Sequence, residues 1–141
     1  MNFEIKTYIG LGDIQFGNTR QDNRNIIKGN VEEFIKFKGK PPIDIYKKHG
    51  IYLFYKEDGF CEAIEIYKPG KVFFNNVNLL EMTFEGVTEF LKNFDSNLYA
   101  ESDGFTSVKL GIGGYCPNPD KSALIESIIC FEKGYYGTLY K

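Results

Sequence analysis

The sequence has no tryptophan, a single histidine, and three cysteines of which no two stand in Cys-x-x-Cys spacing. An odd, scattered set of thiols (Cys61, Cys116 and Cys130) builds neither a disulfide framework nor a zinc site, and predicts reduced, partly buried thiols. His49 stands beside Gly50 at a turn. A lone imidazole needs a nucleophile and an orienting partner before it can act as a base, so a turn histidine is the simpler reading. No apolar run approaches the ~18 residues that span a bilayer. The opening Met-Asn-Phe-Glu-Ile-Lys has no basic stretch leading into an apolar one, so the expectation is a cytoplasmic chain without a signal peptide and without membrane contact.

A basic excess is also missing. The net charge is −2 and the pI near 5.5, which argues against a nucleic-acid partner, because such binders need a positive field over phosphates. Gly10-Leu-Gly12 and Gly111-Ile-Gly-Gly114 have the look of phosphate-cradling loops, but neither lies between a strand and a helix. Glycine inside a strand more often marks a bulge or a close backbone approach. With no helical His pair and no acidic loop pattern, no metal or organic cofactor is expected.

What is present is an aromatic, glycine-rich chain of one-domain size, with 13 Phe, 10 Tyr and 15 Gly. That composition favours sheet over helical bundle. Phe3–Phe16 reads as extended. Thr19 caps a short helix that carries Ile26 and Ile27 and stops at Gly29, with Asp22 completing a variant capping box and Asn23 where an apolar residue would pack better. Ile51–Tyr55 and Phe60–Tyr67 form a hairpin around Glu57-Asp58-Gly59, and Val72–Val77 reads as a further strand. Thr83 caps the second helix, where Phe84, Val87, Phe90, Leu91 and Phe94 make an apolar stripe that ends at Asp95-Ser-Asn97. Strands are predicted at Leu98–Glu101, Phe105–Ile112, Leu124–Phe131 and Tyr135–Tyr140, with Gly113-Gly114 in the long turn before Leu124.

At a shift of 64 residues, Thr19 maps onto Thr83, Glu62 onto Glu126 and Ile64 onto Ile128. The identities are few enough for chance, so duplication and coincidence both stand, with candidate halves 7–70 and 71–134. The element order is helix then strands, twice. It predicts an α+β fold: one domain over 1–141, an antiparallel sheet with two main helices packed on one face.

Charge is unevenly spread. Residues 1–70 carry 11 Lys/Arg and 10 Asp/Glu, whereas residues 71–141 carry 6 and 9. Between Glu81 and Asp103 six acids stand against Lys92 alone. A solvated helix face explains such acids most simply; the functional reading is a surface that meets a basic partner. Glu85, Glu89, Glu101 and Asp103 are the partner-binding candidates, with Tyr55, Glu65 and Phe105 behind them, since interfaces favour aromatic anchors. Glu62 and Glu65 do not form a catalytic pair on this reading, because residues three apart on a strand face opposite ways.

Gly12-Asp-Ile-Gln-Phe-Gly-Asn-Thr-Arg-Gln-Asp22 followed by a helix resembles the Ile-x-Phe-Gly-Met-Thr-x-x-x-Val start of BamE/SmpA-like and beta-lactamase-inhibitor-like repeat proteins, with Asn18 in place of Met and Asn23 in place of Val. Gly50–Tyr55, Gly59–Glu65, Gly104–Ser107 with Leu110–Gly113, and Ile125–Ile128 with Gly134–Tyr136 are similar to small bacterial proteins of polymorphic-toxin loci. The resemblance implies a non-catalytic immunity protein that binds and neutralises a cognate protein toxin, such as a nuclease. The alternatives are a small-ligand or regulatory module using the sheet face, and a hydrolase without a recognisable motif.

Overall fold

The computed structural model describes residues 2–118 and 120–136. The elements are β1 (Ile5–Lys6), β2 (Gly10–Leu11), β3 (Ile14–Gln15), α1 (Arg20–Ile26), β4 (Glu32–Phe34), β5 (Ile43–Tyr46), β6 (Ile51–Tyr55), β7 (Cys61–Tyr67), β8 (Phe73–Phe74), β9 (Val77–Asn78), α2 (Phe84–Lys92), β10 (Tyr99–Ala100), β11 (Gly104–Ser107), β12 (Ile112–Tyr115) and β13 (Ser127–Phe131). This is an antiparallel α+β fold. Eight strands form one sheet in the order β10-β11-β12-β13-β7-β6-β5-β4, beside a three-stranded sheet of β1–β3 and a small hairpin of β8 and β9. No helix among the described residues is long and apolar enough to cross a membrane.

Both helices start where their caps put them. The Thr19 side chain accepts from the Asp22 N–H, and the Asp22 carboxylate accepts from the Thr19 N–H in return. The Thr83 hydroxyl accepts from the Gly86 N–H. Phe84, Val87 and Leu91 of α2 are buried, as are Ile27 after α1 and Leu11 and Ile14 of the small sheet. They close over Ile51, Leu53, Ile64, Ile66, Ile112 and Ile128, the inner face of the large sheet, to make one core.

The large sheet is two four-strand meanders, β4–β7 and β10–β13, each following its helix and joined through β7 and β13. Ile64 faces Cys130 and Ile66 faces Ile128 across that junction. Thr19 bridges Phe60 just before β7, and Thr83 bridges Leu124 ahead of β13. Thr19 with Phe60 and Thr83 with Leu124 are pairs related by the 64-residue offset.

Several predicted boundaries shift. The first helix ends at Ile26 rather than at Gly29, because Ile27 turns extended and drops into the core. The strand expected at Val72–Val77 is broken by Asn75 and Asn76, both at positive φ, into β8 and β9. The strand expected at Phe105–Ile112 is two strands, because the chain reverses at 108–111 with the Gly111 N–H donating to the Ser107 carbonyl. Gly113-Gly114 lies within β12 and not in a turn. The second helix stops at Lys92, and Asp95 beyond it is buried, accepting from the Ser107 hydroxyl at 2.6 Å. The strand expected at Tyr135–Tyr140 begins in a turn at Tyr135 and Tyr136, and its remainder lies outside the described residues.

Candidate functional site

The helices and the small sheet cover the inner face of the large sheet, and among the described residues no helix covers the outer face. Strand register sets one continuous outer row: Ile45, Tyr52, Glu65, Ile129, Gly113, Thr106 and Tyr99. A second row brings Tyr67, Ser127 and Tyr115 side by side. Tyr52 and Tyr67 have ring centroids 4.8 Å apart. The Ser127 hydroxyl donates to Glu65 Oε2 at 2.8 Å. Burial, with the Glu65 carboxylate next to it, pushes the Tyr67 phenol up to about 12.

The turn at Tyr135-Tyr136 lies against Phe131 and divides this face, Tyr135 contributing to one cleft and Tyr136 to the other. The cleft over the second meander holds about 320 Å³, between Glu65, Ile129 and Tyr115, with Glu101 and Asp103 at its rim. Its floor is hollow because Gly113 stands where a side chain would meet Ile129 Cγ2 at 3.0 Å. Its titratable lining other than tyrosine is wholly acidic. The cleft over the first meander is larger, about 700 Å³, with Phe37, Ile43 and Phe54 among its apolar walls. Its charges largely answer one another: Lys40 pairs with Glu57 at 3.0 Å and Lys56 with Glu132 at 3.2 Å.

Of the residues singled out from sequence, Glu65, Glu101 and Asp103 come together in the acidic cleft. Phe105 lies beneath it, 3% exposed, its ring against Phe84 and over Gly114. Tyr55 is also a buried residue: it accepts a hydrogen bond from Asn23 Nδ2 at 3.0 Å, and the Arg20 guanidinium lies over its ring. Packing, rather than exposure as an anchor, is what the structure assigns to these two aromatics. Glu85 and Glu89 are exposed on α2 and do not line the cleft. Lys121 lies between the two groups: its carbonyl accepts from the Glu85 N–H, and its ammonium donates to the Ser102 carbonyl between Glu101 and Asp103.

The expectation that Glu62 and Glu65 face opposite ways is corrected. A register shift at Phe54/Tyr55 interrupts the in–out alternation of β7, so both glutamates line outer clefts. Burial, followed by the nearby Glu132 carboxylate, raises the Glu62 carboxyl above its usual range. His49 closes a short 3₁₀ turn with Nε2 3.2 Å from the Lys28 carbonyl. All three cysteines are free and buried, and burial pushes the Cys61 thiol up to about 12. Among the described residues no three His, Cys, Asp or Glu side chains gather as metal ligands.

Tyr52, Tyr67, Tyr115, Ser127 and Ile129 carry the face and were not singled out from sequence. Their signal was the alternation Tyr52/Phe54, Glu65/Tyr67 and Ser127/Ile129 opposite the apolar inner positions. Comparison with protein-family models, with curated proteins and with solved structures finds no match to this chain.

Proposed function

We propose that the chain is a non-catalytic binding protein whose outer sheet face holds a basic segment of a protein partner. The observation that carries this is the acidic cleft of Glu65, Glu101 and Asp103, set in a tyrosine-rich face that no helix among the described residues covers. Tyrosines supply rigid contact area with a hydroxyl to spare, and an acidic rim steers a basic partner and sets its register. Taken with the resemblance to proteins of polymorphic-toxin loci, the partner is a toxin domain and the chain its immunity protein.

The test is co-expression with the toxin domain encoded beside this chain, reading complex formation and growth. Glu65→Lys with Asp103→Lys is expected to abolish protection while the fold, followed by circular dichroism, persists. Glu85→Lys with Glu89→Lys on α2 is expected to leave protection intact; the reverse pattern moves the site to the helix. A second reading, a small-ligand module, draws on the first-meander cleft, whose size and apolar walls suit a compact apolar molecule. Copurification of such a molecule, lost in Phe54→Ser, would favour it.

A further inference from the structure

The loop between β4 and β5 breaks the ordinary rule for surfaces. Every residue from Glu32 to Lys40 is exposed, and this includes Phe34 at 52%, Ile35 at 63% and Phe37 at 63%. Three large apolar side chains within four positions, all more than half exposed, mark a contact surface rather than scattered surface hydrophobics. Lysines are interleaved with them. Lys40 is paired with Glu57, Lys36 lies over the Phe37 ring, and among the described residues no ion pair occupies Lys36 or Lys38. This tip is therefore exposed, apolar and basic, and its Lys36 and Phe37 edge the cleft over the first meander.

The acidic cleft has the converse character. It is concave, floored by glycine and walled by Tyr115 and Ile129, and no ion pair among the described residues occupies Glu101 or Asp103 at its rim. The tip follows β4 at one edge of the eight-stranded sheet, whereas the cleft lies over β7, β13, β12 and β11. The tip lines the cleft on the other side of the Tyr135-Tyr136 turn, so it does not fill the acidic cleft of its own chain.

We infer that the tip of one copy enters the acidic cleft of another, joining copies head to tail. Lys36 and Lys38 meet Glu101 and Asp103, and the Phe34–Phe37 side chains cover the tyrosine-lined walls. The inference deepens the function proposed above and rests on the same cleft. Self-association and partner binding then exclude each other, so a basic, aromatic partner segment displaces the neighbouring copy. The contact is small, so the association is weak and readily reversed.

Sedimentation of the full chain tests this. At low salt the apparent mass is expected to climb above 16.2 kDa as concentration rises. Because the pairing is between exposed charges, it should fall back toward one chain at ~0.5 M salt. Lys36→Glu with Lys38→Glu, and separately Glu101→Lys with Asp103→Lys, should each remain single chains, since each variant sets like charges at tip and cleft. Mixing the two variants, or combining all four changes in one chain, should restore association. All four positions are exposed, so loss of fold is not expected, and circular dichroism checks it.

A wild-type chain that stays single throughout, or variants that fail to complement, would overturn the inference. Either result leaves the partner reading intact, because co-expression with a toxin domain tests that separately. Loss of protection in Glu65→Lys with Asp103→Lys alongside a strictly single wild-type chain would place a partner, and not a second copy, in the cleft.

Discussion

Asn23 on α1 donates from Nδ2 to the Tyr55 hydroxyl at 3.0 Å, and both residues are buried. The helix is thereby tied to the end of β6 by a polar contact at a position where an apolar side chain was the simpler expectation. Asn23→Val leaves that buried hydroxyl without its donor, and a loss of about 1–3 kcal/mol is expected in chemical denaturation. Adding Tyr55→Phe removes the orphaned hydroxyl and should recover most of the loss. Simple additivity of the two changes would show that the bond contributes nothing.

Asp44 has no exposed side-chain surface, yet it binds two arginines of the same helix. Its Oδ2 accepts from Arg24 Nε at 2.9 Å, and its Oδ1 accepts from Arg24 at 2.9 Å and from Arg20 at 2.5 Å. The carboxylate raises the Arg24 guanidinium above its ordinary value. Asp44→Ala strands two half-covered cations against the sheet. A loss of about 3 kcal/mol is expected, toward the lower end of what breaking a buried pair costs because both arginines still reach water. Equilibrium unfolding in urea measures it; a change below about 0.5 kcal/mol, the scale of ordinary surface substitutions, would refute this account.

Gly114 lies under the Phe105 ring, and a Cβ built there would stand 2.1 Å from Phe105 Cε1. Gly114→Ala should therefore destabilise by about 1–3 kcal/mol through overpacking. Phe105→Leu in the same chain makes room and should return part of that stability. If the single variant unfolds at the wild-type midpoint, the close approach is not a constraint.

Glu62 is held above the usual carboxylate range by burial and by Glu132, only partly offset by Lys56. A carboxyl raised on folding favours the protonated native state, so its contribution to stability is fully present below the unfolded value and is lost as pH rises through the folded one. Glu62→Gln should thus stabilise at neutral pH, by up to about 0.5 kcal/mol for this partly exposed site, and the advantage should vanish in acid. Thermal unfolding from pH 3 to 8 follows it, and a gain independent of pH would point to a packing cause instead.

Local chemistry made much of this molecule legible. Thr19 and Thr83 mark their helices because a hydroxyl next to orphan N–H groups acts within one turn. The β6–β7 hairpin and the α2 stripe are likewise patterns of near neighbours. Gly113-Gly114 misled because paired glycines look like a turn until a distant aromatic ring, that of Phe105, is seen to need the space. Asn23 looked out of place because its partner lies more than 30 residues away.

The α+β class, both helix starts, the central hairpin and the acid-rich stretch follow from propensity, capping and period over short spans of chain. The candidate site arises from pairings between distant strands. The antiparallel seam of β7 with β13 sets Glu65 opposite Ile129, which aligns the outer row from Ile45 to Tyr99. A single register shift brought Glu62 to the same side as Glu65, and the folding-back of β10–β12 set Glu101 and Asp103 beside Glu65 in a cleft that Glu85 and Glu89 do not line. Pairings between segments so far apart in the chain are chosen by burial of the whole inner face, which no local window of the sequence contains.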